Sequence, residues 1–406
     1  MYFRMGLVEG IPRSASLLIL PTRIHICTTR HRSRTHALGM KGRYSMQFSE
    51  RILRVKPSAT LAITALANSL KAKGIDVIGF GTGEPDFDTP NFIKAAAIRA
   101  IESGKTKYTP AGGIPELKKA ICEKFRRDNA LDYEPSQVTV NCGGKHSFYN
   151  LIQVLIDNGD EVIIPAPYWV SYPPIVLLAG GVPVIIPTRE ENGFKLTPEA
   201  LEKAITPRTR AIVFNSPSNP TGATYSREEL GWLAAILEKR GILIISDDIY
   251  ESILYSGRTF SNFANLSENL KKQTIVLNGV SKAYSMTGWR IGYMAGDREI
   301  ICKVEILQSQ STSNPTSISQ WASVEALLGD QGVIRDMVEA FDRRRQVIVR
   351  MLNEAPGMHC ISPEGAFYAF PNIKGVTKLP GWAKLAEKYT DPSVSAAITA
   401  YLLEVA

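Results

Sequence analysis

From Val138 to Ala295 the chain repeats one pattern: a short β-branched run, a turn, then a stretch with helical spacing. Strands are expected near 138–141, 161–164, 182–186, 210–214, 242–246, 273–277 and 291–295. Continuous apolar runs suit strands covered on both faces, and long helix-bearing connections suit parallel neighbours. The alternation therefore predicts an α/β fold, a mostly parallel sheet flanked by helices. In such sheets ligands sit beyond the carboxyl ends of the strands. A charged or polar residue directly after one of these runs is thus a candidate for chemistry.

At 406 residues the chain is too long for one small core and divides into two domains. Residues 91–328 make the large domain. The arm 46–90 and residues 329–406 make a smaller α+β domain. Helical spacing runs from Leu61 to Gly74 and over 90–103, 115–129, 297–328 and 332–354, with two more helices up to Val405. Strand-like segments fall at 76–80, 358–361 and 366–370. No run reaches the roughly 18 consecutive apolar residues of a membrane helix. The net charge of +8 comes largely from residues 1–45, a basic leader with Glu9 as its single acid. That leader is expected to be disordered, either an organelle transit peptide or sequence upstream of a start at Met46. The rest is close to charge balance, so composition gives no case for a nucleic-acid partner. Five cysteines without C-x-x-C spacing point to a reducing compartment, the cytoplasm or, with a transit peptide, an organelle. Only His146 and His359 lie outside the leader, so no histidine-based metal site is expected.

Lys282 follows the run Ile275-Val276-Leu277 and the break at Asn278-Gly279. Burying an unpaired ammonium is costly, the group tends to shed its proton, and a neutral amine is a nucleophile. Eight residues on, Arg290 offers a planar fork of donors suited to phosphate. Amine plus phosphate anchor suggests pyridoxal 5'-phosphate held as a Schiff base; a solvated lysine is the plain alternative. Cys142-Gly143-Gly144-Lys145-His146 joins a strand to a helix and reads as an anion site or as a tight turn. Trp169 can stack on a flat ring or fill a core. The amide of Asn219, in the loop Asn215 to Gly222, can bond a phenolic oxygen. Asp247, after the run Ile242 to Ile245, needs a partner, and a protonated pyridine nitrogen would serve.

Together these motifs resemble the aspartate aminotransferase family of fold type I pyridoxal-phosphate enzymes, over residues 46–406. Asn219-Pro220-Thr221-Gly222, the Asp247 and Tyr250 pair, Ser281-Lys282 and Arg290 stand in the family's order and spacing. The resemblance implies a homodimeric aminotransferase working on amino acids and 2-oxo acids. Lys282 would carry the cofactor and shuttle the proton, and Asp247 would keep the pyridine nitrogen protonated. Asn219 and Tyr250 would bond the ring's phenolic oxygen, and Trp169 would stack on the ring. Arg290 and the N–H groups of Gly143, Gly144 and Lys145 would hold the phosphate, with Tyr108 reaching it from the other subunit. Gly83 would offer its backbone to the substrate α-carboxylate, beside Trp169 and Asn219. Within the family the sequence is most similar to bacterial and plastid-type members, in which Lys145 and Thr60 would lie near the distal carboxylate of aspartate, glutamate or prephenate. The family's C-terminal arginine would fall beyond Ala406, which gives the expectation of weak transamination by the chain as written. Lyase chemistry or another amino-acid aminotransferase on the same scaffold, and a truncated, low-activity product, are the alternatives.

Overall fold

The computed structural model describes residues 3–4, 47–57, 59–77, 79, 81, 83–388 and 393–405. The expectation for the leader lies outside these, apart from Phe3–Arg4, which pairs antiparallel with Tyr368–Ala369.

Seven strands form the main sheet: β1 (Val138–Asn141), β2 (Glu161–Ala166), β3 (Val182–Pro187), β4 (Thr209–Asn215), β5 (Leu243–Asp247), β6 (Thr274–Gly279) and β7 (Gly292–Ala295). Their order is β1-β7-β6-β5-β4-β2-β3. β2 to β6 run parallel, and β7 runs antiparallel to both β1 and β6. Every residue of β1, β6 and β7 is buried, the polar Thr139, Asn141, Thr274 and Asn278 included.

Strand alternation divides the core. Val162 and Ile164 meet Phe148, Leu151, Val213 and Ile245 on one face, while Ile163 meets Ile212, Phe214, Ile244 and Leu233 on the other. A third cluster sets Val140, Val276 and Tyr293 against Leu117, Ile121 and Phe125 of the helix Pro115–Asn129. Truncating a fully buried member such as Leu233 to alanine costs about 2–5 kcal/mol, lost transfer energy plus the cavity left behind.

The expected helix over 297–328 is two helices, Arg298–Ser309 and Ser317–Leu328. Pro315 lacks an amide hydrogen and drives Asn314 out of helical geometry, and Ser313 takes a left-handed φ of 61°. The helix over 332–354 is found as Gly332–Glu354. The strand expected at 358–361 shrinks to one bridge between His359 and Asn372, and that at 366–370 to Tyr368–Ala369. Asp76, Val77 and Gly79, expected in a strand, lie outside regular structure; Ile78 and Phe80 are outside the described residues.

The strand ends line up. Asn215 closes β4 opposite Asp247, and Asp247 closes β5 opposite Leu277. Three residues beyond β6 stands Lys282. The later part of the chain closes over these ends: Phe367, Tyr368 and Phe341 pack with Tyr250 and Ile253.

Candidate active site

A cleft of about 290 Å³ opens beyond the carboxyl ends of β4, β5 and β6. Its wall includes Gly83, Gly144, Lys145, Trp169, Asn219, Asp247, Tyr250, Lys282 and Arg290, nine of the expected site residues. They come from separate strand ends and loops, so the parallel sheet brings them together.

Lys282 reaches across the cleft and donates its Nζ hydrogen to the carbonyl of Gly83 at 2.5 Å. Its supporting strand is fixed from behind, where Asn278 donates to Glu251 at 2.8 Å. Asp247 presents its carboxylate beside it. Tyr172 donates to its Oδ2 at 2.6 Å, and Asn215 donates to its backbone carbonyl at 2.8 Å. Burial pushes the Asp247 carboxyl up to about 6, against the opposing pull of the Tyr172 hydroxyl, the Ile249 amide and the Lys282 charge. An acid so placed gains from a cationic N–H in the cleft.

Asn219 is held by its own amide, which donates to Asn215 Oδ1 at 2.7 Å. Its side-chain nitrogen donates to the Tyr368 hydroxyl at 3.2 Å, and Tyr250 and Tyr368 share a bond of 2.6 Å. Trp169 lies edge-on to Tyr172, with ring centroids 5.3 Å apart and planes at 87°.

The other end of the cleft is built for an anion. Gly144 opens the helix Gly144–Leu155, whose first-turn N–H groups, those of Gly144 and Lys145 among them, lack intrahelical acceptors. Arg290 sits beside it, donating to the carbonyls of Thr287 at 2.9 Å and Cys142 at 3.4 Å. Gly143 departs from expectation: its own N–H donates to Asn141 at 2.8 Å, so it is not among the free amides. What Gly143 supplies is space. With φ at 93°, it stands where any Cβ would strike the Arg290 guanidinium. Lys145 holds its ammonium 5.1 Å over the Trp169 ring, and burial followed by the nearby Arg290 charge lowers its pKa.

Of two further expected residues, one is not brought in by this chain and the side chain of the other is outside the described residues. Tyr108 is 92% exposed and away from the cleft. Thr60 lies in the helix Ala59–Ala72, and its side chain is outside the described residues. Among the cleft residues that escaped the sequence reading are Tyr172 and Tyr368. Tyr172 stands three residues after Trp169, within the same loop-to-helix segment, but the bond that ties it to the site runs to Asp247, 75 residues on.

The residues thus fit pyridoxal 5'-phosphate: an amine, a raised carboxyl, a phenolic-oxygen pair, and an anion end made of a guanidinium and a helix start. Among the described residues no cluster of His, Cys, Asp and Glu could hold a metal ion, and no helix is long and apolar enough to cross a membrane.

The family model for aminotransferase class I and II matches residues 75–394. The aspartate aminotransferase of Geobacillus stearothermophilus is 54% identical over 336 residues, 83% of this chain and 86% of that protein. The aspartate/prephenate aminotransferase of Cereibacter sphaeroides is 58% identical over 328 residues, covering 80% and 82%. Among solved structures, the aspartate aminotransferase of Rhizobium meliloti superposes with a TM-score of 0.83 at 47% identity, covering 89% of each chain. With its doubly covered sheet and its cleft at the strand ends, the chain belongs to the class I and II aminotransferases and is an aminotransferase.

Proposed function

We propose that this aminotransferase uses pyridoxal 5'-phosphate to move an amino group between an acidic amino acid, aspartate or glutamate, and a 2-oxo acid. When bound, the cofactor supplies an electron sink for the charge left when an α-proton departs. Lys282 would hold the cofactor through its amine, and that amine would supply the base that takes the α-proton. Asp247 keeps its charge against a protonated ring nitrogen, and the Tyr172 hydroxyl favours that ionised form. Asn219 and Tyr250 serve the phenolic oxygen, and Trp169 stacks on the ring. Arg290 and the amides of Gly144 and Lys145 take the phosphate, with Gly143 leaving room for the guanidinium.

For the substrate, the backbone of Gly83 and the side chain of Asn219 border the place of the α-carboxylate. Lys145 and Thr60 serve the distal carboxylate, in keeping with relatives named for aspartate and prephenate. Tyr108, exposed here, reaches a phosphate in the partner subunit of a homodimer. The cysteine pattern favours work in the cytoplasm.

The observation that carries this reading is the placing of one amine, Lys282, and one raised carboxyl, Asp247, in a single cleft that ends on a guanidinium and a helix start. A visible-absorption spectrum tests it. The purified protein is expected to show the band of a covalently held cofactor, which aspartate alone, without an acceptor, converts to an amine form absorbing in the near ultraviolet. Lys282→Ala should lack the band. Normal spectral conversion by Lys282→Ala at full speed would sink the assignment.

A further inference from the structure

The phenolic-oxygen pair has a third member that the sequence did not reveal. Tyr368, carried by the short strand Tyr368–Ala369, lines the cleft and puts its hydroxyl within 2.6 Å of the Tyr250 hydroxyl and 3.2 Å of Asn219 Nδ2. Hydroxyl bookkeeping orders these bonds. An amide nitrogen only donates, so Tyr368 accepts from Asn219. Each phenol has one proton. If Tyr250 spends its proton on Tyr368, it has none for the cleft; if Tyr368 donates to Tyr250, the Tyr250 proton is free to point into it.

We propose that Tyr368 is a positioning residue: it accepts from Asn219 and donates to Tyr250, so that Tyr250 presents its proton to the cleft as a strengthened donor. This rests on the cofactor reading above, which gives the Tyr250 proton a phenolic oxygen to meet. A donor that is itself accepting a hydrogen bond is polarised by it, and the gain is largest where water is excluded. Tyr250 is 3% exposed, and burial followed by the Tyr368 neighbour holds its pKa well above the ordinary phenol value, so it keeps its proton at any working pH. Among the described residues, the titratable groups facing the pair are Asp247, Lys282 and Tyr172. Asp247 and Lys282 come from the large-domain strand ends, with the Lys282 ammonium 6.0 Å from the Tyr250 ring centroid. Phe367 packs edge-on at 5.5 Å from the later part of the chain. Tyr368 also lies hard against Gly83, where an added Cβ would meet its hydroxyl, so the segment at Gly83 fixes the relay's position. The arrangement makes the strength of Tyr250 depend on how the later part of the chain is seated.

The test is a pH titration of the visible cofactor band in the holoenzyme. Hydrogen bonds that stabilise a phenolate lower the proton affinity of the Schiff base conjugated to it. Tyr368→Phe should therefore raise the titration midpoint by about half a unit to one unit, the worth of one net hydrogen bond. In a Tyr250→Phe background the same substitution should leave the midpoint unmoved, because the group it acts through is gone. An unmoved midpoint in the Tyr368→Phe single variant, or an equal rise in both backgrounds, overturns the relay. If Tyr368→Phe does not fold, 3-fluorotyrosine at 368, a more acidic donor, should lower the midpoint, and no change or a rise overturns the proposal. A wild-type protein with no visible band removes the cofactor reading and the relay with it; a normal wild-type band beside an unmoved midpoint in Tyr368→Phe removes only the relay.

Discussion

Two polar clusters lie back to back behind and in front of the segment Asp247 to Glu251, and they treat their charges in opposite ways. On the inner side Glu251 accepts from Asn129 at 2.6 Å and Asn278 at 2.8 Å and pairs with the Lys124 ammonium. Asp248 accepts from Ser246 at 2.6 Å and Asn262 at 3.0 Å. This cluster closes on itself, its side chains satisfying one another inside the protein. On the cleft side Asp247, Lys282 and Arg290 line open volume, and the helix start beside them keeps orphan amides. A charge cluster that satisfies itself holds a fold together; one that converges on space and leaves donors over is arranged for a ligand. Adjacent residues, Asp247 and Asp248, fall on opposite sides of that division.

The largest expected effect comes from the cleft. Lys282→Ala should reduce aminotransferase turnover by at least about 10³-fold, the combined loss of the proposed covalent anchor and proton carrier. Its thermal midpoint should stay close to that of the unmodified protein, because Lys282 lines a cleft rather than the interior. A collapse of stability that matched the loss of turnover would erase the distinction between the two clusters.

The reverse is expected behind the segment. Lys124→Met leaves Glu251 buried and unpaired, with side chains that are 5% and 6% exposed in the intact pair. Breaking such a pair costs about 3–5 kcal/mol, read as a fall in urea midpoint with an unchanged slope. Turnover per folded molecule should change far less than in Lys282→Ala. If turnover falls by orders of magnitude at full folding, the inner cluster belongs to the chemistry after all.

A smaller effect sits on the boundary. Tyr172 is fully packed, edge-on to Phe148 and Trp169, and gives Asp247 its shortest hydrogen bond. Tyr172→Phe removes a bond to a charged acceptor, worth about 1.5–3 kcal/mol. The Asp247 carboxyl should then rise further, and the acid limb of the turnover profile should move to higher pH by about one to two units. An acid limb that stays in place would show that Tyr172 only packs.

What the sequence could show follows from where the contacts run. That Lys282, Asp247 and Arg290 share one cleft was legible because each stands close to a strand end, Asp247 at the end of β5, Lys282 three residues past β6 and Arg290 two residues before β7. The parallel sheet was legible from the local alternation of strand and helix patterns. Tyr172 and Tyr368 were not, since their defining bonds span 75 residues to Asp247 and 118 to Tyr250, and nothing local marks a tyrosine for such a partner. Gly143 was half legible: the glycine pair announced a helix start, but only the fold shows that Arg290 occupies the space and that the Gly143 amide is already bonded to Asn141. The split of 297–328 could have been read from Asn314-Pro315, where apolar periodicity on both sides masked the break.

The finest distinction separates the two adjacent acids by pH. Burial pushes Asp248 up to about 8, with the Glu251 charge adding to the rise, and pushes Asp247 up to about 6. A carboxyl whose folded pKa is raised holds its proton in the native state after the unfolded chain has released it. Stability contributed by that proton is therefore present at low pH and is lost as pH climbs from about 4 towards the folded value. Each group accounts for at most about 1.4 kcal/mol per pH unit within its window. Asp248→Asn should flatten the decline of unfolding free energy up to about pH 8, measured by urea titration at half-unit steps. Pyridoxal 5'-phosphate, if it binds as proposed, should flatten only the part up to about pH 6, because its ring N–H would satisfy Asp247 and do nothing for Asp248, which faces Ser246 and Asn262 on the far side. If loading the cofactor removes the whole slope, the inner acid senses the cleft, and the wall between the two clusters is thinner than their hydrogen bonds make it.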